Sequence, residues 1–417
     1  MTEWRSVKIE DLAAPGKNSL ATGPFGSAIG SRFFREDGVP VIRGSNLSLK
    51  VGDRLLDDEI VFVDESKAEE FPRSVARQGD LVFTCWGTIG QIGLVDDRAR
   101  FDRYIVSNKQ MKLTPDPSLA DSLFLYYALS SPEAVAHVQG MAIGSSVPGF
   151  NLTQLRQVVI SCPPLHEQKV IAAALGALDD KIAANERLIA TLDGMTHALF
   201  KQNFSGIGLP GDRDGWKLGR LSDLCSTQYG YTASADAAPV GPRFLRVKDI
   251  NKKNWIEWSS VPYCRISDAD LPKYRVSVGD IVVARMADPG KSALIEEPTD
   301  AVFASYLVRL KTASLAHAYF VWGFLKSDIY GNYAKSARSG SVQANMNAKV
   351  ITAAELAIPP LELMESHLMQ VAPVRQRMLA ALRENASLAI LRDTLLPQLM
   401  SGKLRVREAE KIVEDAV

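Results

Sequence analysis

Residues 165–204 read LHEQKVIAAALGALDDKIAANERLIATLDGMTHALFKQNF. Apolar side chains recur at Ile171, Leu175, Leu178, Ile182, Ile189, Leu192 and Leu199, in alternating steps of four and three. Asn185 fills the wider step from Ile182 to Ile189. This is a heptad seam, so the stretch is expected to be a long amphipathic helix packed against another helix. Pro163 and Pro164 punctuate its start, and the run from Ser205 to Gly208 ends it. At ~1.5 Å per residue such a helix measures roughly 58 Å, long enough to act as a spacer between its flanks.

The flanks repeat. Pro163, Pro164 and Leu165 are answered by Pro359, Pro360 and Leu361, and Ser205 with Gly206 by Ser401 with Gly402. The second run carries Val371, Val374, Met378, Leu382, Leu388, Leu391 and Leu395, with Asn385 in its seam. Its spacing is less regular. Leu175, Leu178, Ile182, Asn185, Ile189 and Leu192 are therefore expected to pair with Met378, Leu382, Asn385 and Leu388. The expected fold is α+β: two similar globular domains separated by two long helices. The boundaries are 1–162 for the first domain, 163–204 for the first helix and 205–215 for a linker. The second domain is 216–358, the second helix 359–400 and the C-terminal tail 401–417.

Composition sets bounds. The 417 residues suffice for two or three domains with their own cores. The formal net charge is zero, which argues against wholesale electrostatic adhesion to nucleic acid or membrane but leaves room for a local basic groove. Cys85, Cys162, Cys225 and Cys264 stand singly, so neither a zinc ribbon nor a disulfide scaffold is supported. No signal peptide and no run of ~18 apolar residues is present, so the chain is read as cytoplasmic and without a membrane partner.

Taken in order, WRSVKIEDL (4–12) is matched by WKLGRLSDL (216–224). TGPFGSAIG (22–30), with Phe25 and Ser27, is matched by STQYGYTASA (226–235), with Tyr229 and Tyr231. Small residues allow close backbone approach and aromatics wedge or stack, so these are either nucleic-acid contact loops or tight turns over the core. VPVIRGSNL (39–47) delivers Arg43, Ser45 and Asn46, and PRFLRVKDI (242–250) delivers Arg246 and Lys248. Arg and Asn can take base edges, but a strand-end Arg can equally pair with a carboxylate of its own domain.

GDLVFTCWGTIGQIGLVDD (79–97) and GDIVVARMADPGKSALIEE (279–297) both read as hairpins, and Arg285 and Lys291 stand near phosphate reach in the second. RARFDRYIVSNKQMKL (98–113) interleaves Arg103 and Lys109 with aromatics, as a backbone-tracking surface or as a solvated charged edge. Helices are expected over 122–138 and 316–330. Each is followed by a polar stretch, GSSVPGFNL (144–152) with Ser145 and Asn151, or GSVQANMNA (340–348) with Ser341 and Asn345. These offer hydroxyls and amides to bases or phosphates.

No catalytic set emerges. The P-loop, HExxH and GxSxG signatures are absent, and the five histidines have no ligand spacing. Neither PPL is preceded by the Asp or Asn of an amino-methyltransferase motif. Asp58 with the DESK run at 64–67 only loosely suggests a metal nuclease.

The duplicated module, each copy followed by a long helix, resembles the specificity subunits of type I restriction–modification enzymes. The resemblance is carried by the two Trp starts, TGPFGS, VIRGSNL, FLRVKDI, the two hairpins, GSSVPGFNL, and above all PPLHEQKVIAAALGALDDKI with its later echo PPLELMESHL. It implies two target recognition domains, each reading one half of a split double-stranded DNA site, and two long helices that pair as an antiparallel coiled coil and set the gap. It further implies docking of two methyltransferase subunits that hold S-adenosylmethionine, and of motor-nuclease subunits, with no cofactor and no catalysis in this chain. Because the two halves differ in their contact residues, the site is expected to be asymmetric. The competing reading is a protein–protein scaffold without DNA recognition.

Overall fold

The computed structural model describes residues 4–143, 149–205, 207–208, 215–338, 345–404 and 406–414. They form two compact units, one of residues 1–184 with 387–417 and the other of residues 185–386. Each unit therefore takes one sequence module together with half of each long helix.

The first unit opens on a two-stranded ribbon. Arg5–Lys8 pairs antiparallel with Val159–Cys162, the strand that feeds the first long helix. Beyond it lies an antiparallel sheet in the order Leu20–Thr22, Gln110–Leu113, Leu81–Thr84, Ile92–Leu94. A second, mixed sheet has the order Val61–Val63, Val39–Ile42, Arg103–Val106, Val75–Arg77. The second unit repeats this plan. Lys217–Arg220 pairs with Glu355–Ile358, and the antiparallel sheet runs Cys225–Tyr229, Leu307–Thr312, Ile281–Ala284, Ser292–Leu294. Arg243–Leu245 and Ala301–Phe303 form the parallel pair that answers Val39–Ile42 and Arg103–Val106.

The repeated sequence signals have physical reasons. In both GD turns the glycine has positive φ, 91° at Gly79 and 90° at Gly279. The aspartate that follows is buried and closes the turn. Asp80 accepts from the Arg77 amide and from Lys112 Nζ at 3.1 Å. Asp280 accepts from the Ser277 amide and from Arg309 Nη1 at 3.2 Å. Gly23 and Gly230 are forced by close approach: a Cβ would lie 1.8 Å from the Ser107 carbonyl oxygen and 2.2 Å from that of Ala304.

The stretches 122–138 and 316–330 each resolve into two helices. Ser122–Ser130 and Pro132–Met141 break at Ser131, whose hydroxyl caps the second helix with Pro132 at its first position. Leu315–Lys326 and Asp328–Arg338 break at Ser327 in the same place.

The long helices span Leu165–Asn203 and Leu361–Met400, and the tail carries a further helix, Val406–Glu414. They run antiparallel within each unit. In the first, Ile171, Leu175 and Leu178 share a core with Leu388, Leu395 and Leu399, and Ile182 packs at its edge. Fully burying each such leucine contributes about 1.5–3 kcal/mol. Asp179 accepts from Arg392 Nη1 at 2.8 Å, both buried, and the Tyr127 hydroxyl donates to the same carboxylate. In the second unit Ile189 and Leu192 pack with Met378, Ala381 and Leu382.

Asn185 is buried, and its Nδ2 donates to Asn385 Oδ1 and to Glu384 Oε2, both at 2.9 Å. A paired amide in a seam fixes register while giving up hydrophobic contact. Replacing Asn185 and Asn385 together by leucine should raise the melting temperature by roughly 2–4 °C. A thermal scan showing no rise would mean that the amide pair carries no such cost.

Candidate nucleic-acid interface

In the first unit four segments converge on one open groove of about 780 Å³. The loop after Leu20–Thr22 supplies Ser27, and the end of Val39–Ile42 supplies Arg43 and Ser45. Thr84 ends Leu81–Thr84 and Trp86 follows it, and Lys109 comes from the turn before Gln110–Leu113. Three of these segments leave the antiparallel sheet at one end, and the fourth leaves the mixed sheet at Ile42, whose carbonyl accepts from the Ser107 amide at 3.0 Å. Gly23 brings the first loop down onto Ser107, and Asn108 Nδ2 donates to the Gly26 carbonyl at 2.7 Å, fixing that loop to the turn. Gln91 holds the hairpin to the Arg43 segment through the Leu47 carbonyl at 2.9 Å.

The groove offers hydroxyls, amides and two cations. Phe25 stands at its margin with 75% of its surface exposed, under the Arg73 guanidinium at 5.8 Å. Trp86 on its wall is 50% exposed. Exposed aromatics beside basic and hydroxyl groups suit a nucleic-acid surface.

Other sequence candidates have different work. Asn46 is buried. Its Oδ1 accepts from the Arg43 amide at 3.0 Å and its Nδ2 donates to the Leu56 carbonyl at 2.7 Å, so its side chain is spent on the fold. Asn151 is exposed but caps the helix Leu152–Gln157 by accepting from the Gln154 amide. Arg103 lies outside the groove and forks onto Glu65. Its neighbours Arg98 and Arg100 pair with Asp180 and Asp58. The arginine-rich stretch is thus largely neutralised within its own unit, rather than forming a backbone-tracking surface. Asp64 and Glu65 are likewise held by Arg35 and Arg103. Ser145 lies outside the described residues.

In the second unit Arg246 answers Arg43, but Asp249 holds it. Nε donates to Oδ2 at 2.9 Å and Nη2 to Oδ1 at 2.8 Å, the internal pairing that a strand-end arginine allows. Lys248 is exposed beside it. Tyr229 accepts from the Ala348 amide at 3.0 Å, and the Arg285 guanidinium lies 5.0 Å over its ring. Tyr231 packs on Tyr274 at 5.1 Å. Asn345 is exposed, and Ser341 lies outside the described residues.

Sequence reasoning missed Trp86, and in the second unit Tyr306, which stands at the position of Lys109 and is 56% exposed. A Trp after a buried strand and before the Gly87 turn was the available signal.

Between Thr84 and Trp86, burial pushes the Cys85 thiol up to about 12, which disfavours the thiolate. No helix of the described residues is long and apolar enough to cross a membrane.

Residues 1–193 match the family model described as the type I restriction modification DNA specificity domain. The type I restriction enzyme MjaIX specificity subunit of Methanocaldococcus jannaschii is 21% identical over 373 residues, spanning 83% of this chain and 82% of that protein. The HindI specificity subunit of Haemophilus influenzae is 20% identical over 438 residues, spanning 85% and 94%. A crystal structure of the type I restriction–modification S subunit from M. genitalium shares the fold with a TM-score of 0.60, at 15% identity, over 95% of this chain and 96% of that one. With the duplicated module and the paired helices, these likenesses support a type I restriction–modification specificity subunit.

Proposed function

We propose that each unit reads one half of a split, asymmetric DNA site, and that the paired helices set the gap between the halves. In this reading the helices dock two methyltransferase subunits, which bring S-adenosylmethionine, and motor-nuclease subunits join them in the cytoplasm. The chain itself recognises and does not catalyse. Phe25, Ser27, Arg43, Ser45 and Lys109 in the first unit, with Tyr229, Lys248, Arg285 and Asn345 in the second, are the contact candidates that remain available. The observation that carries this reading is the repeat of one backbone plan with different side chains on it. Cys85, whose amide donates to the Lys109 carbonyl at 2.7 Å, corresponds to Arg285, whose amide donates to that of Tyr306 at 3.0 Å. The same frame thus presents Lys109 in one unit and Tyr306 in the other. A scaffold without DNA recognition is not favoured, because the relatives of this chain are specificity subunits.

Co-expression with the neighbouring methyltransferase, followed by sequencing of methylated host DNA, tests the proposal. A split motif with a fixed gap is expected, and exchange of residues 1–160 for another family member's module should change one half only. Change in both halves, or no sequence-specific methylation from a stable complex, would defeat it.

A further inference from the structure

Among the described residues, each unit has an arginine near its candidate surface whose buried Nε has no hydrogen-bond partner. In the first it is Arg43. Its Nε is buried without a hydrogen-bond partner, its guanidinium lies 5.4 Å over the Phe34 ring, and it lines the groove. In the second it is Arg285, with the same buried, unpartnered Nε, 5.0 Å over Tyr229. Neither has a carboxylate within ion-pair distance among the described residues.

The two arginines are not at corresponding positions. Arg43 corresponds to Arg246, since each follows the strand of the parallel pair and donates its amide to the side chain three residues on. That side chain is Asn46 in the first unit and Asp249 in the second. Both cap the turn, but only the aspartate carries the charge that binds the guanidinium, through two bonds at 2.9 and 2.8 Å. Arg285 corresponds to Cys85, a buried thiol between the groove residues Thr84 and Trp86. Where the second unit closes off one arginine, it places another on the neighbouring hairpin.

An arginine whose stem is buried against a ring and whose outer nitrogens have no carboxylate presents a fixed planar fork. That geometry suits the O6 and N7 acceptors of guanine in the major groove. We propose that Arg43 and Arg285 each recognise a guanine, one in each half of the site, and that Arg246 reads no base. This rests on the proposed function above.

The test is the methylation motif of the full complex carrying Arg43→Gln, Arg43→Lys, Arg285→Gln or Arg246→Gln, each checked for assembly and melting temperature. Arg43→Gln should relax one guanine position in one half, with discrimination against the other bases falling roughly 5- to 150-fold. Arg43→Lys keeps the charge and loses the fork, so it should relax the same position. Arg285→Gln should relax a guanine in the other half, and Arg246→Gln should leave the recognised bases unchanged. Uniformly weaker methylation with an intact motif would assign the arginines to phosphates and overturn the proposal. So would a wild-type half-site without guanine, or an altered motif from Arg246→Gln. Absence of any motif in the wild-type complex would instead defeat the functional reading itself.

Discussion

Arg375→Ala is expected to cost about 3–5 kcal/mol of stability, the loss usual when one member of a buried ionic cluster is removed. Arg375 projects from the second long helix and is 0% exposed. Its Nε donates to Glu296 Oε1 at 2.9 Å, Nη1 to Asp193 Oδ1 at 3.1 Å and Nη2 to the Asn254 carbonyl at 3.2 Å. The guanidinium also lies 4.8 Å over the Trp322 ring. Desolvation opposes its charge, but the two carboxylates overcome this and hold its pKa above the usual value. Truncation leaves Glu296 and Asp193 facing a void in place of the guanidinium. The triple variant Arg375→Met, Glu296→Leu, Asp193→Leu removes all the charges and should recover most of the loss. Urea unfolding of the full chain measures both. A loss under 1 kcal/mol for Arg375→Ala would show that the carboxylates are compensated by something other than this arginine.

Acid should weaken the second unit through His367. The ring is 2% exposed and packs edge-on against Phe204 at 4.8 Å and Phe200 at 5.8 Å. Asn203 Nδ2 lies 2.9 Å from His367 Nδ1. An amide nitrogen donates, so Nδ1 accepts and the ring is assigned neutral with its proton on Nε2. Burial lowers its pKa from 6.5 to about 4.

The sign follows from proton uptake. Between 6.5 and about 4 the unfolded chain binds the proton and the folded chain does not, so stability falls as pH falls through that window. Above 6.5 both states are neutral and the contribution is flat. From pH 7 to pH 5 the loss is at most about 2 kcal/mol, set by protonation of the unfolded histidine below 6.5 while the folded ring stays neutral. His367→Gln, which keeps an acceptor for Asn203, should shrink this pH dependence in thermal scans. An identical pH profile for the variant would rule His367 out.

The paired helices were legible because PPL and Ser-Gly bracket both runs, and apolar spacing is a local property. The GD hairpins were legible for the same reason: a positive-φ glycine and a buried aspartate are needed wherever that turn is made. The groove was only partly legible. Ser27, Arg43, Ser45 and Lys109 were named, and the two sheets of the first unit bring them together. Asn46 has its last bond to Leu56, a partner that no periodicity reveals. Arg246 and Asp249 are three residues apart, so their pairing was visible as an option, and only the turn geometry selects it. The arginines of 98–103 resemble a nucleic-acid surface until Asp180, Asp58 and Glu65 arrive from distant segments. The Arg375 cluster joins residues up to 182 positions apart, beyond any local pattern.

The division of the chain between the units bears on the order in which they can fold. Residues 185–386 are contiguous, so the second unit has all its parts as soon as they leave the ribosome. The first unit has its module made earlier but lacks the segment 387–417 that covers Ile171, Leu175 and Leu178. Until synthesis reaches Leu395 and Leu399, that apolar helix face stays open and a loop of roughly 200 residues has yet to close. The module translated first is therefore the one completed last, and it is the one exposed to misassembly in the interval.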